Sequence, residues 1–259
     1  MEAASPPAFL DANVLLGPLP KRPLGAPEDV AGLLATMDHY GIARALVTHA
    51  DAKWRDVAWG NARLTREIAG QERLVGCWTV LPSSTGEVPP EPEQVSQLLR
   101  SGARAARLCP VEHRLSLEPW EIGPLFAALA DRRVPVLLDF DNVHWSEPRP
   151  WRSIEWACHE HPDLPVVLLR ESQSRFRTLF ALLDHCDNLY VETSYIQGHD
   201  AINMMVKRWG AHRLIYGSGM PIFDPGLPIT GVTYAGLGPD DLAAVSGGSL
   251  LRLLEGVRR

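Results

Sequence analysis

Five side chains that can carry charge stand at or near the ends of predicted strands. They are His49, Arg107, Asp139, Arg170 and Glu192. Imidazole and carboxylate groups exchange protons, whereas guanidinium groups stay charged and bind carboxylates or phosphates through paired hydrogen bonds. If the strands are parallel and adjacent, their carboxyl ends meet at one face of the protein. The spacing therefore predicts one polar site assembled from distant parts of the chain.

The residue types indicate roles within this site. His49 is the best candidate for a general base because imidazole titrates near neutral pH, and Asp139 is the second candidate catalytic residue. His49 as a hydrogen-bonded loop histidine, and Arg107 as an ion-pair partner of Glu192 or Asp139, remain as alternatives. Glu192 would act as an acid only with a raised pKa. The predicted ligand-binding residues are Asn13, Arg107, Arg170 and Glu192.

Eight short apolar segments alternate with stretches of helical periodicity along the chain. This alternation is typical of βα units that build a parallel sheet. Because barrels of this type run to about 250 residues, the pattern predicts a single (β/α)8 TIM barrel, an α/β fold. The predicted strands are Ala8 to Leu15, Ala43 to Thr48, Leu74 to Leu81, Ala103 to Leu108, Pro135 to Phe140, Pro165 to Leu169, Leu189 to Glu192 and Leu214 to Gly217.

The helices are predicted from apolar residues that recur every three to four positions. After Pro27, the residues Val30, Leu33 and Met37 follow this spacing, and Gly41 stands at the expected C-terminal cap. The remaining predicted helices span about 54–69, 92–101, 119–132, 150–161, 173–185, 200–209 and 239–254.

The composition fits one domain that spans residues 1–259. A hydrophobic content of 46% is sufficient for a sizeable core, and a net charge of -6 lacks the basic excess of a nucleic-acid-binding protein. We find no secretory leader and no apolar run long enough to cross a membrane, so we expect a cytoplasmic protein without nucleic-acid or membrane partners. The four cysteines form no close pair and predict buried thiols rather than a zinc site.

Two segments carry a recognisable pattern. Residues 9–17 read FLDANVLLG, and residues 213–221 read RLIYGSGMP. With other fragments in the same order and spacing, they resemble the amidohydrolase-related family of metal-dependent hydrolases and decarboxylases of small, often aromatic-derived acids. The resemblance spans almost the whole chain and implies a barrel with its site at the carboxyl ends of the strands. The other matching fragments are Gly41 to Val47, Gly76 to Pro82, Val134 to Leu138, Asn188 to Ser194 and Ser249 to Leu254.

The resemblance also implies where a metal would be held. The family draws its ligands from a His-x-His pair on strand 1, one histidine each on strands 5 and 6, and an aspartate on strand 8. The matching positions here are Asn13 and Leu15, Asp139, Arg170, and Gly219. Of these only Asp139 is a good metal ligand, and the guanidinium of Arg170 repels a dication. The sequence therefore predicts no catalytic metal and no other cofactor.

Asp139 has two further interpretations. With Asp141 and His144 it forms an Asp-x-Asp-x-x-His run that could hold a metal, although His144 is expected in the loop after the strand. We expect instead an ion pair between Asp139 and Arg170 at the former metal position, because adjacent strands place them at equal depth and a buried charge needs a partner. The alternative is that Arg170 faces the cavity and captures a substrate carboxylate or phosphate.

Two functions follow from these observations. The first is a metal-independent hydrolase or lyase that acts on a small organic acid, since cationic groups bind carboxylates and stabilise charge that develops in a transition state. The second is a noncatalytic relative that binds a ligand or supports an active homologous subunit. Fold alone does not choose between them. The expected partners are a small carboxylate-type ligand and either a second copy of the chain or a homologous subunit.

Overall fold

Eight parallel strands, paired in chain order, form the centre of the computed structural model, which describes residues 8–140 and 149–258. Between the last strand and the first, the backbone N–H of Ala12 donates to the carbonyl oxygen of Tyr216 at 3.0 Å. The predicted (β/α)8 barrel is therefore confirmed. The strands are β1 (Phe9–Leu16), β2 (Ile42–His49), β3 (Leu74–Thr79), β4 (Ala105–Leu108), β5 (Val136–Leu138), β6 (Val166–Leu168), β7 (Leu189–Glu192) and β8 (Leu214–Ile215).

Eleven α-helices accompany these strands in the described part of the chain. Helix α1 begins after Asp29, whose carboxylate accepts a hydrogen bond from Gly32 N, and ends at Gly41 in the left-handed region, as its sequence predicts. The helices are α1 (Val30–Tyr40), α2 (Ala50–Trp54), α3 (Val57–Glu67), α4 (Glu91–Arg100), α5 (Pro119–Asp131), α6 (Trp151–Glu160), α7 (Phe176–His185), α8 (Ala201–Trp209), α9 (Gly226–Thr233), α10 (Pro239–Ala243) and α11 (Ser249–Glu255).

Helix boundaries differ from the predictions in three places. The predicted helix at 54–69 corresponds to α3, which begins only at Val57 because the chain turns at Arg55 and Asp56 caps α3 by accepting a hydrogen bond from Trp59 N at 2.7 Å. The short helix α2 that precedes it was not predicted. The predicted helix at 239–254 is divided into α10 and α11 by a π-helical turn at Ala244–Gly248. Helix α9 was not predicted, since its sequence GLPITGVT contains two glycines and a proline, which are poor helix formers.

Alternation along the strands separates two layers inside the barrel. Cys77, Ala105 and Leu137 belong to one buried apolar cluster, together with Leu250 and Leu254 of α11. Side chains two residues apart on a strand share a face. The positions two residues after these apolar ones therefore lie on the same inner face, one layer closer to the carboxyl ends of the strands. They are Thr79, Arg107 and Asp139, and the same offset from Tyr190 gives Glu192.

The structure bears on two expectations from composition, one about membrane-spanning segments and one about the cysteines. No helix in the described ranges is both long and apolar enough to cross a membrane. All four cysteines are free thiols and are buried, as their scattered positions in the sequence predict.

Helices α2 and α3 pack closely enough to require a glycine. A Cβ atom added at Gly60 would lie 2.2 Å from the backbone nitrogen of Ala52. We expect Gly60→Ala to lower the free energy of unfolding by about 1–3 kcal/mol, because one of the two backbones must shift. Urea denaturation measures the effect.

Gly123→Ala is the matched control, since Gly123 also lies inside a helix but its added Cβ would be 3.5 Å from Trp156. This variant should be neutral or up to about 1 kcal/mol more stable, because alanine is the better helix former. Equal stabilities of the two variants would contradict the close packing of α2 on α3.

Candidate functional site

The carboxylate of Asp139 is the centre of a buried ionic network at the carboxyl ends of the strands. It accepts hydrogen bonds from Lys53 Nζ at 2.8 Å and from Arg107 Nε at 2.9 Å. Arg170 Nη2 donates to the other carboxylate oxygen, so the predicted ion pair between Asp139 and Arg170 is present. None of these four side chains is more than 3% exposed. Three buried cationic groups therefore share one buried carboxylate as their partner.

Hydrogen bonds extend this network across the barrel. Arg107 Nη2 donates to Asn13 Oδ1 at 3.0 Å, and Asn13 Nδ2 donates to Glu192 Oε2 at 3.3 Å. Lys53 Nζ also lies 2.9 Å from Glu112 Oε1. The structure thus brings together five of the six predicted site residues. We call Asn13, Lys53, Arg107, Asp139, Arg170 and Glu192 the central cluster.

The carboxylate of Glu192 is positioned mainly by hydrogen bonds from Ser194 and from the backbone of Arg170. Its carboxylate accepts hydrogen bonds from Ser194 N at 2.6 Å, from Ser194 Oγ at 2.8 Å and from Arg170 N at 3.1 Å. Burial nevertheless raises the pKa of Glu192 above its ordinary value, and the hydrogen bonds from Ser194 only partly oppose that effect. Glu192 therefore has the raised pKa that a carboxyl group needs in order to act as an acid.

Burial, together with neighbouring positive charge, lowers the pKa values of Lys53 and Arg170. Burial, followed by the charge of Arg170, lowers the pKa of Lys53 to about 8. Burial and the charge of Arg107 lower the pKa of Arg170 to about 10. A lysine with such a pKa can donate or accept a proton close to neutral pH.

Sequence reasoning missed Lys53 and Glu112. Lys53 lies on α2, the short helix directly after β2, and its side chain is fully buried. Glu112 follows β4 in the loop that leads to α5. The available signal was position, because both residues come within a few residues of a strand end. Neither residue stands on a strand or matches a family ligand position, and those were the signals that located Arg107 and Asp139.

His49 lies on the helix side of the barrel and not toward the central cavity, which agrees with the alternative of a hydrogen-bonded histidine. Val47, two residues earlier on β2, packs in the cluster between sheet and helices. The ring of His49 follows this direction. Its Nδ1 accepts a hydrogen bond from Asp51 N at 3.1 Å, and its Nε2 lies 3.5 Å from Glu67 Oε2 on α3. Burial lowers the pKa of His49 below its ordinary value.

The position that matches the family aspartate on the last strand has no room for a side chain. Gly219 has a φ of +72° in the left-handed region, and an added Cβ would lie 2.6 Å from the ring of Phe223. At Gly217 an added Cβ would lie 2.3 Å from Glu192 Oε1. A carboxylate ligand at either position would need rearrangement of Phe223 or Glu192.

The residues present do not fit a divalent cation at the position where the resemblance implies one. Lys53, Arg107 and Arg170 direct positive charge at Asp139, the one good donor among the matching positions. Across residues 8–140 and 149–258 no group of three or more His, Cys, Asp or Glu side chains is arranged to hold a metal ion. Asp141 and His144 lie outside the described residues.

Comparison with solved structures places this architecture among TIM barrels. An uncharacterized TIM-barrel protein from Bordetella bronchiseptica aligns with a TM-score of 0.75 at 16% identity, over 96% of this chain and 99% of that one. The 5-carboxyvanillate decarboxylase from Sphingomonas paucimobilis aligns with a TM-score of 0.74 at 15% identity, over 96% and 99% of the two chains. The chain has the fold of these barrels.

A protein described as a putative hydrolase shares the same fold. The putative 2-pyrone-4,6-dicarboxylic acid hydrolase from Pseudomonas putida aligns with a TM-score of 0.67 at 16% identity, over 96% of this chain and 98% of that one. No model of a known protein family matches the sequence, and no curated protein sequence matches it either. The likeness therefore confirms, at the level of fold, the resemblance drawn from the sequence.

The network around Asp139 generates a prediction about stability. Arg170→Leu should destabilise the protein less than Asp139→Asn, because Asp139 keeps Lys53 and Arg107 when Arg170 is lost. Removal of Asp139 leaves several buried cations without their shared partner, which costs about 3–5 kcal/mol. The double variant should lose less than the sum of the single losses. Denaturant unfolding of the three variants tests the coupling, and strictly additive losses would contradict it.

A second prediction concerns metal content. Protein dialysed against zinc or manganese and then against buffer should retain no stoichiometric metal, because the cations around Asp139 repel a dication. Elemental analysis measures the retained metal, with Asp139→Asn as the comparison. Metal that survives dialysis in the parent protein and is lost in Asp139→Asn would overturn this prediction.

Proposed function

We propose that this chain is a metal-independent hydrolase or lyase that acts on a small organic acid at the carboxyl ends of the barrel strands. The observation that carries the proposal is the convergence of Lys53, Arg107 and Arg170 on Asp139. These cations supply positive charge at the position where the amidohydrolase-related family, which the sequence resembles, uses a metal. Buried cations can stabilise negative charge that develops on a reacting carboxylate or carbonyl oxygen.

The proposal divides the chemistry among the central cluster. Arg107 and Arg170 would bind the anionic groups of substrate and transition state, and Asn13 would orient the Arg107 guanidinium through its 3.0 Å hydrogen bond. Lys53 would donate a proton to the carbon or oxygen that gains an electron pair when a bond breaks. Asp139 would hold Lys53 in place and take part in proton exchange, and Glu192, with its raised pKa, is the further acid. His49 has no part in this scheme, because its ring contacts Asp51 and Glu67.

The substrates named for proteins of similar fold support a small acid as ligand. Those proteins include decarboxylases of 5-carboxyvanillate and 2,6-dihydroxybenzoate and the putative 2-pyrone-4,6-dicarboxylic acid hydrolase. All three compounds carry carboxylates on a flat ring. Because the identities are 14–16%, this support extends only to the class of compound.

A second candidate function is a noncatalytic barrel that binds a ligand or supports a homologous subunit. Burial of the central cluster favours it, since Lys53 and Asp139 are fully buried and pair with each other. In this case the ion pairs would keep the barrel closed where a metal once held it. Turnover distinguishes the two functions.

The test is a turnover assay with the three named acids in the presence of a chelator. We expect loss of at least one acid at a rate that the chelator leaves unchanged, and a decrease of about 100-fold or more in Lys53→Met, the size typical for loss of a general acid. Lys207→Met, a change on the exposed face of α8, is the control. Activity that disappears with chelator and returns with metal would contradict the proposal. Binding without turnover would favour the noncatalytic barrel.

The pKa of Lys53 predicts a pH dependence of this activity. Because Lys53 acts as a proton donor, its charged form is the active one, and kcat should fall as pH rises through the Lys53 pKa of about 8. Lys53→Arg keeps the charge but cannot release a proton in this range, so its residual activity should lose the alkaline limb. An unchanged limb in this variant would assign the titration to another group.

A further inference from the structure

The arginines of the central cluster are already engaged. Arg107 and Arg170 both donate to Asp139 and are almost completely buried. A ligand carboxylate that bound them would first have to displace Asp139. An accessible cationic group on the same face of the barrel could bind a carboxylate without displacing Asp139.

Arg114 is such a group. It lies in the loop between β4 and α5, on the face where the strands end, and its side chain is exposed. Within the described residues its guanidinium makes no hydrogen bond or ion pair. Its backbone has a φ of +54°, in a region that is unfavourable for residues other than glycine. Such conformations persist where the surrounding structure imposes them, and they occur often at binding sites.

Arg114 lines a cavity of about 620 Å³, which we call the Arg114 cavity. Its apolar walls come from Pro110, Val111, Leu115 and Phe140. Arg149 also lines it, and this guanidinium lies 4.8 Å from the centre of the Phe140 ring. None of the described lining residues is acidic.

A neighbouring cavity of about 330 Å³ shares Arg114 but is much less suited to an anion. Three acidic residues line it, namely Asp56, Glu87 and Glu121. Arg149 in the larger cavity is paired with Glu171 at 2.8 Å, which fixes its position beside Phe140. Of the two cavities, the Arg114 cavity thus combines accessible positive charge, apolar walls and a volume suited to a small molecule.

We infer that the Arg114 cavity binds a small acid with an apolar body, and that Arg114 captures its carboxylate. This inference rests on the proposed function and specifies where the acid is first held. The guanidinium forms charge-assisted hydrogen bonds to the carboxylate, while Val111, Leu115 and Phe140 cover the apolar body. Arg114 is therefore a residue for affinity and orientation.

The loop that carries Arg114 also contacts Lys53. Glu112 Oε1 lies 2.9 Å from Lys53 Nζ, and His113 Nε2 lies 3.0 Å from the carbonyl oxygen of Lys53. Because a carbonyl only accepts hydrogen bonds, His113 Nε2 carries the proton in this contact. A ligand that shifts the 112–114 segment would therefore act on these two contacts of Lys53. This connection gives the cavity a direct link to the central cluster.

The test measures benzoate binding by calorimetry to the parent protein and to single variants. We expect Arg114→Gln to raise the dissociation constant by about tenfold or more, the effect of losing a hydrogen bond to a charged group. Arg133→Gln is the matched control, since Arg133 is also an exposed arginine with positive φ, at +51°, but precedes β5 and so lies at the opposite end of the barrel. This control should bind as the parent does.

The outcomes separate this inference from the proposed function. Parent-like binding by Arg114→Gln would overturn the inference, and if Arg107→Gln then abolished binding, the acid would sit in the central cluster and the proposed function would stand. Equal weakening by Arg114→Gln and Arg133→Gln would show a general charge effect and would also overturn the inference. Absence of benzoate binding to the parent protein, together with absence of turnover of the three named acids, would overturn both.

Discussion

The buried negative charge of Asp139 is the constraint on which the centre of this barrel depends. Removal of a carboxylate from water costs several kcal/mol unless other charges and hydrogen bonds compensate it. Lys53, Arg107 and Arg170 provide that compensation, and each comes from a different βα unit. The ion pairs therefore join units that are far apart in sequence. They form only when the strands are paired in the correct order and register.

The same strands carry an apolar layer and an ionic layer. Side chains such as Ala105 and Leu137 fill the barrel below, and Arg107 and Asp139 follow them on the inner face. This arrangement gives the ionic layer a rigid base, because strand positions are fixed by backbone hydrogen bonds. It also explains the shifted proton affinities, since groups held in place above an apolar layer cannot move to water. Burial raises the pKa of Glu192 on β7, and burial with the charge of Arg170 lowers the pKa of Lys53, which reaches this layer from α2.

The barrel separates the closed central cluster from an accessible cavity at its rim. In the proposed function, the cluster supplies charge and proton transfer, and the Arg114 cavity supplies first contact with the acid. The loop from Cys109 to Glu118 connects the two, because it carries Arg114 toward the cavity and Glu112 and His113 toward Lys53. This division is compatible with a fold that hosts many chemistries through changes in its βα loops.

Periodicity in the sequence alone determined the architecture, and the family resemblance marked Asn13, Asp139 and Arg170 as positions of the site. Strand alternation and helical spacing are local properties, so they predicted eight βα units, and equal depth on adjacent strands predicted the pair of Asp139 with Arg170. Tertiary structure decided the rest. Lys53 reaches Asp139 from a helix, and Arg114 borders a cavity between loops. Each of these positions depends on how loops and short helices close over the strands, which no local pattern encodes.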